Sequence, residues 1–144
     1  MCLDNPNPLI RNATALTFRD NKFDRAVPYL IKAIKKPENK TNRSTLFHAL
    51  ETMDCGCIFN ELFAFLFSTH GNWAAHHSIL TILDEQEFLF TDDDLRNLKK
   101  IWNILMPDWN NLNKLDESKI KDMDITSIII DEFVNRFTDY LDEK

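Results

Sequence analysis

Apolar residues recur along most of the chain at spacings of three and four, and strict alternation is scarce, so the pattern predicts helices rather than strands. Leu9 to Arg19 gathers Ile10, Ala13, Leu16 and Thr17 on one face. Phe23 to Lys36 gathers Val27, Leu30, Ile31, Ala33 and Ile34. Pro28 is tolerated in its first turn, Lys35 and Lys36 suit the negative end of the helix dipole, and Pro37 stops it. A polar linker then leads to a third helix, capped by Asn42 or Ser44 and running to about Met53 through Leu46, Phe47, Ala49 and Leu50. Cys55-Gly56-Cys57 breaks the pattern. Ile58 to Thr69 is apolar nearly all round, which marks a central helix, and Gly71 is its expected C-cap. A fifth helix runs from Trp73 to about Leu83, followed by an acidic connection to Phe90. Thr91 and Asp94 read as a capping box for a helix carrying Leu95, Leu98, Ile101, Trp102 and Leu105, which ends before Pro107. Asp108 to Asp122 is polar and reads as one short helix. Asp124 opens a last helix, Ile125 to Leu141, with Ile128, Ile129, Phe133, Phe137 and Tyr140 inward.

The helices also repeat. The stretch from Arg43 to Asp54 aligns with Trp73 to Asp84 at an offset of 30, which places Leu50 on Leu80, Met53 on Leu83 and Asp54 on Asp84. Val27, Leu30, Ile31 and Ile34 fall on Phe59, Leu62, Phe63 and Leu66 at an offset of 32. Phe59, Leu62, Phe65 and Leu66 fall on Leu95, Leu98, Ile101 and Trp102 at an offset of 36. Chance offsets of this size also occur in a plain bundle of short helices. The preferred expectation is an alternation of A and B helices, each pair burying one face on its neighbour.

Asp24-Arg-Ala-Val-Pro-Tyr-Leu-Ile-Lys-Ala-Ile34, the polar linker, Arg43 and Ala49-Leu50 together resemble a HEAT-type repeat. The likeness is clear over residues 24–54. Later units lack the Val-Pro step and carry Trp73 where the pattern has arginine. The expected fold is all-α: one domain over residues 1–144, a short HEAT/ARM-like α-solenoid of about three helix pairs plus a C-terminal helix.

Composition narrows the function classes. Only two glycines occur, Gly56 and Gly71, too few for a Gly-rich phosphate loop or a typical dinucleotide fold. No apolar run approaches the roughly 20 residues of a membrane span. The start, Met-Cys-Leu-Asp-Asn-Pro, has no secretory pattern, and Cys2, Cys55 and Cys57 form no disulfide framework, so a cytoplasmic protein is expected. The net charge of −6 divides into +2 over residues 1–72 and −8 over residues 73–144. An acidic half argues against nucleic-acid binding and suits a basic partner, although solubility alone would also account for it.

Candidate chemistry is thin. Cys55 and Cys57 with His48, His70, His76 and His77 could supply soft metal ligands, but Cys-x-Cys is a poor zinc spacing and the histidines lie inside predicted helices. Cys55 beside His48 is a conceivable nucleophile–base pair, with a buried helix-junction cysteine as the commoner alternative. The expectation is no enzyme, no metal and no cofactor, with a helical enzyme using Cys55 kept as a third class.

The A-to-B turns are all acidic. They hold Asp20 and Asp24, then Glu51 and Asp54, then Asp84, Glu85 and Glu87. One edge of a stack should therefore carry a stripe of carboxylates. Phe88, Leu89 and Phe90 follow, and Asp92 and Asp93 come next. Aromatic residues beside acids suit a hot spot for a basic protein; alternatively the rings tuck into the core and the acids solvate helix ends. The expected partner-binding residues are Glu51, Asp54, Asp84, Glu85, Glu87, Phe88, Phe90, Asp92 and Asp93. In size, acidity and lack of Gly-rich motifs the whole chain resembles the HEAT-like immunity proteins of bacterial toxin systems, including contact-dependent growth inhibition. That resemblance implies binding and neutralisation of one cognate toxin domain, often a nuclease and here expected to be the basic C-terminal domain of a secreted or surface toxin. The alternative is a HEAT-like scaffold or adaptor.

Overall fold

The structure is a computed structural model and describes residues 2–40, 43–68, 72–109, 127–139 and 141. Among these residues the chain is all-α. Seven α-helices follow one another: α1 Pro8–Asp20, α2 Val27–Lys35, α3 Arg43–Leu50, α4 Phe59–Ser68, α5 Trp73–Glu85, α6 Asp92–Leu105 and α7 Ser127–Thr138. Short 3-10 turns at Cys2–Asp4, Asp24–Ala26, Pro37–Asn39 and Met106–Asp108 lie between or beside them. No helix of the described residues is long and apolar enough to cross a membrane. The expectations for Asn42, His70, Gly71, Asp124, Ile125, Tyr140 and the segment 110–126 lie outside the described residues.

Local chemistry sets the helix ends. Asn7 caps α1 by accepting from the Leu9 N–H at 3.0 Å, with Pro8 in the first turn. Asn72 caps α5 through the Ala75 N–H at 3.1 Å. Thr91 and Asp94 form the reciprocal capping box that their spacing predicts: Asp94 N–H donates to Thr91 Oγ1 at 3.1 Å, and Thr91 N–H donates to Asp94 Oδ2 at 2.8 Å. The C-terminal carbonyls of α2 are met by two residues of the linker side. Asn39 Nδ2 donates to Ala33 O at 2.8 Å, and Arg43 Nε donates to Ile34 O at 3.0 Å. The polar linker thus contains a buried asparagine, Asn39, 1 % exposed.

Packing follows the odd and even helices. α1 lies on α3 and α3 on α5, α4 contacts α6, and α2 and α4 each pack on the odd helix that follows, α3 and α5. α7 lies on α6. The expected inward residues of α2 are all buried, and Leu30 and Ile34 are fully so. Burial of each such side chain contributes about 1.5–3 kcal/mol. α4 is central, as its composition suggests: Phe59, Leu62, Phe63, Phe65, Leu66 and Phe67 are all buried. Phe67 stacks on Trp102 at 5.7 Å, and Trp102 meets Trp109 edge-on at 5.5 Å, which ties α4 to α6 and to the turn beyond it.

Three apolar faces depart from expectation. In α1 the inward residues are Arg11 and Ala15, while Ile10 is 40 % exposed and Ala13 and Thr17 face outward. The N-terminal turn packs on α1 and buries its Leu3 in the core. Arg11 Nη1 donates to Asn5 O at 2.8 Å and Pro6 O at 3.0 Å, so a charged group satisfies the approach to the helix. Lys36 pairs with Asp4 and anchors the same turn to the end of α2. In α6 Ile101 is 47 % exposed, because Leu95, Leu98 and Trp102 fill the inward stripe. In α7 Ile128 is 70 % exposed; Ile130, Val134 and Thr138 form the buried line, with Ile129, Phe133 and Phe137 half-buried beside it.

Candidate functional site

The turns after α1, α3 and α5 lie side by side and are fastened by side chains of neighbouring turns. The Asp54 N–H donates to Asp24 Oδ1 at 3.0 Å, which joins the first turn to the second. The Cys55 N–H donates to Gln86 Oε1 at 2.8 Å, and Gln86 Nε2 reaches Glu51 O at 3.5 Å, which joins the third to the second. The Leu89 N–H donates to Gly56 O at 2.9 Å. A side chain at Gly56 would press on Glu87 O at 3.2 Å and Asp54 Oδ1 at 3.1 Å, so the close approach of the two turns favours glycine there.

This arrangement creates a shallow surface depression of about 470 Å³ lined by Lys22, Asp24, Glu51, Thr52, Met53, Asp54, Glu85, Gln86 and Glu87. Five acidic residues and one lysine line it. A concave surface whose charges are predominantly of one sign concentrates its field outward and attracts cations.

The structure brings four of the sequence-predicted residues together here: Glu51, Asp54, Glu85 and Glu87. Asp84 sits one position before the depression and bonds Arg136 of α7, Nη1 to Oδ1 at 2.5 Å. Phe88 and Phe90 are half-buried rather than displayed, with ring centroids 5.8 and 5.0 Å from Phe59 and 6.3 and 6.0 Å from Phe137. The displayed residue of that loop is Leu89, 77 % exposed. Asp92 and Asp93 belong to the first turn of α6, where Asp93 pairs with Arg96 at 2.8 Å, and neither lines the depression.

Sequence reasoning passed over Gln86 and Arg136 as parts of this edge. Gln86 carries a weak signal, an uncharged amide between two acids, where both a donor and an acceptor are used. Arg136 carries none, because only the fold brings it to Asp84.

The candidate chemical groups are engaged elsewhere. Cys55 is buried, its Sγ donates to Leu50 O at 3.3 Å, and burial pushes its thiol up to about 12 despite the Gln86 contact. His48 Nδ1 lies 3.4 Å from Glu51 Oε2. His76 is buried beside the Trp109 ring, centroids 6.0 Å apart, while His77 is exposed. Among the described residues no three His, Cys, Asp or Glu side chains converge as metal ligands.

A second concavity, about 260 Å³, lies between α4 and α6. Phe59, Phe63, Ala64, Phe67, Leu98 and Ile101 form its apolar walls, and Asn60, Asp94 and Asn97 its polar ones. Asn60 Nδ2 donates to Asp94 Oδ1 at 2.9 Å across its end. The Thr91 N–H and this amide together hold the Asp94 carboxyl below the usual carboxylate range.

No family model, curated protein or solved structure matches this chain. The functional reading therefore stands on the turn edge itself.

Proposed function

We propose that this chain is a non-enzymatic protein inhibitor: a cytoplasmic immunity protein that binds a basic toxin domain and covers its active site with the acidic turn edge. The single observation that carries the reading is the convergence of Asp24, Glu51, Asp54, Glu85 and Glu87 from three sequence-distant turns onto one depression. A nuclease toxin must present cationic groups to its polyanionic substrate. An edge of carboxylates, two of them (Asp24 and Asp54) held by backbone N–H groups, competes for those groups, and complementary charge speeds encounter as well as orienting it. The scaffold in this reading is a HEAT-like stack. The rows α1–α3–α5 and α4–α6, and Arg43 closing the end of α2, support it.

The test is growth protection. The gene immediately upstream is expressed as toxin, with and without this chain, and binding is measured across a salt series. Protection with affinity that falls steeply as salt rises is the expected result. Unchanged affinity after joint charge reversal of Asp84, Glu85 and Glu87 to lysine would overturn the acidic-edge mechanism.

A second reading, a HEAT-like scaffold or adaptor, draws on a separate observation. The apolar concavity between α4 and α6 offers a second surface of different chemistry, and an adaptor needs two. Simultaneous capture of two distinct proteins, rather than one toxin, would favour it.

A further inference from the structure

Besides Lys22, which lines the depression, one cation of the chain is bound to the acid that precedes it in sequence. Arg136, in the last turn of α7, bonds Asp84 at 2.5 Å, and its guanidinium carbon lies 4.5 Å from the centre of the Phe133 ring. Asp84 directly precedes Glu85 and Gln86, which line the depression. We propose that Arg136 is a tethered occupant of Asp84, and that an arginine of the protein partner takes its place there in the complex.

This inference rests on the acidic-edge reading and adds the regulation of that surface. Arg136 and Asp84 remain 49 % and 57 % exposed, so water competes for both groups and the pair is exchangeable. α7 does not depend on it. Ile130, Val134 and Thr138 are fully buried, Trp102 holds Asp131, and the Phe137 ring sits 5.1 Å from Phe59 and 5.9 Å from Phe63. The guanidinium can therefore swing away while the helix stays docked. Arginine rather than lysine is the expected entrant, because the half-buried Phe133 ring offers a planar face as well as the Asp84 charge. The tethered residue makes the free protein less adhesive toward unspecific cations and adds a competitor that a true partner must outbid.

The experiment uses the full chain and a fluorescent nona-arginine peptide at low salt. Arg136→Gln is expected to bind the peptide about two- to fivefold more tightly than the wild type, the range set by displacing one exposed ion pair. Lys32→Gln, on the exposed side of α2, makes the same change in net charge and is the control for simple charge gain. The gain of Arg136→Gln is expected to exceed it and to vanish when Asp84→Asn is present in both partners of a double-mutant cycle. Equal gains from Arg136→Gln and Lys32→Gln, or a gain that survives Asp84→Asn, overturn the proposal and leave the acidic-edge reading intact. Failure of the wild type to bind the peptide at all overturns both. Retained urea midpoints show that the variants fold.

Discussion

The indole N–H of Trp102 donates to Asp131 Oδ1 at 2.9 Å, and this bond fastens α7 to α6. Trp102 is 1 % exposed, and Asn135 Nδ2 holds the other carboxylate oxygen at 3.1 Å. Replacing Asp131 with alanine strands a buried donor, which costs about 1–3 kcal/mol. We expect Asp131→Ala to lower the urea midpoint accordingly without altering the slope, and Asp131→Asn, which keeps an acceptor oxygen, to lose less than half as much. An unchanged midpoint in Asp131→Ala would show that apolar burial alone docks α7.

Gln86 predicts a second, more local effect. Its side chain is the acceptor for the Cys55 N–H and approaches the Glu51 carbonyl. Gln86→Ala is expected to lower stability by about 1–2 kcal/mol and to speed amide exchange at Cys55 more than in the middle of α4. Gly56→Val should act on the same junction by steric crowding against Glu87 O and Asp54 Oδ1. Exchange that rises uniformly across the chain, instead of at the turns, would contradict a local fastening role.

These two junctions also mark where the sequence was legible and where it was not. Helix identities, the Thr91–Asp94 cap and the acidic turns follow from short-range patterns, because caps, dipoles and periodicity act within a few residues. The face of α1 did not follow. Arg11 counts as a surface residue by type, yet two loop carbonyls accept from its guanidinium and it is buried while Ile10 is 40 % exposed. Phe88 and Phe90 pose the reverse problem. Their setting among acids suggests display, but Phe59 and Phe137, far apart in sequence, supply a cage for them. Carboxylates on the turns could be read from spacing. Which of them share one depression depended on how the turns lie together, and the pairing of Asp84 with Arg136 depended on where α7 docks.

Cys55 makes a pH prediction of definite sign. Burial pushes its thiol from an ordinary value of 9.0 to about 12. Between those limits the unfolded chain loses the proton and the folded chain keeps it, so folded stability is present in full below about pH 9 and falls as pH rises toward 12. The expected slope is on the order of 1.4 kcal/mol per pH unit. Other groups titrate in this range, so the measure is the difference between wild type and Cys55→Ala in urea midpoints from pH 8 to pH 10.5. Parallel curves would contradict the shift. In the native protein at pH 8, iodoacetamide should label the exposed Cys2 and Cys57 and leave Cys55 unmodified.

Leu89 and Phe90, neighbours in one loop, should separate binding from folding. Phe90 lies 5.0 Å from Phe59 and 6.0 Å from Phe137, half-buried in the aromatic cage. Phe90→Ala is therefore expected to cost on the order of 2–3 kcal/mol of stability, below the ~3–5 kcal/mol of a fully buried ring. Leu89 is 77 % exposed and follows Glu85 and Glu87 of the acidic depression by a few residues. Leu89→Ser should leave stability within about 0.5 kcal/mol. If the edge is the toxin-binding surface, Leu89 is its apolar anchor, and the same substitution should weaken the complex by more than about 1 kcal/mol. Growth protection and affinity would then fall in Leu89→Ser at a normal melting temperature, whereas in Phe90→Ala any loss of binding would track the loss of fold. Full protection by Leu89→Ser would remove the anchor from this loop and leave the carboxylates to act alone.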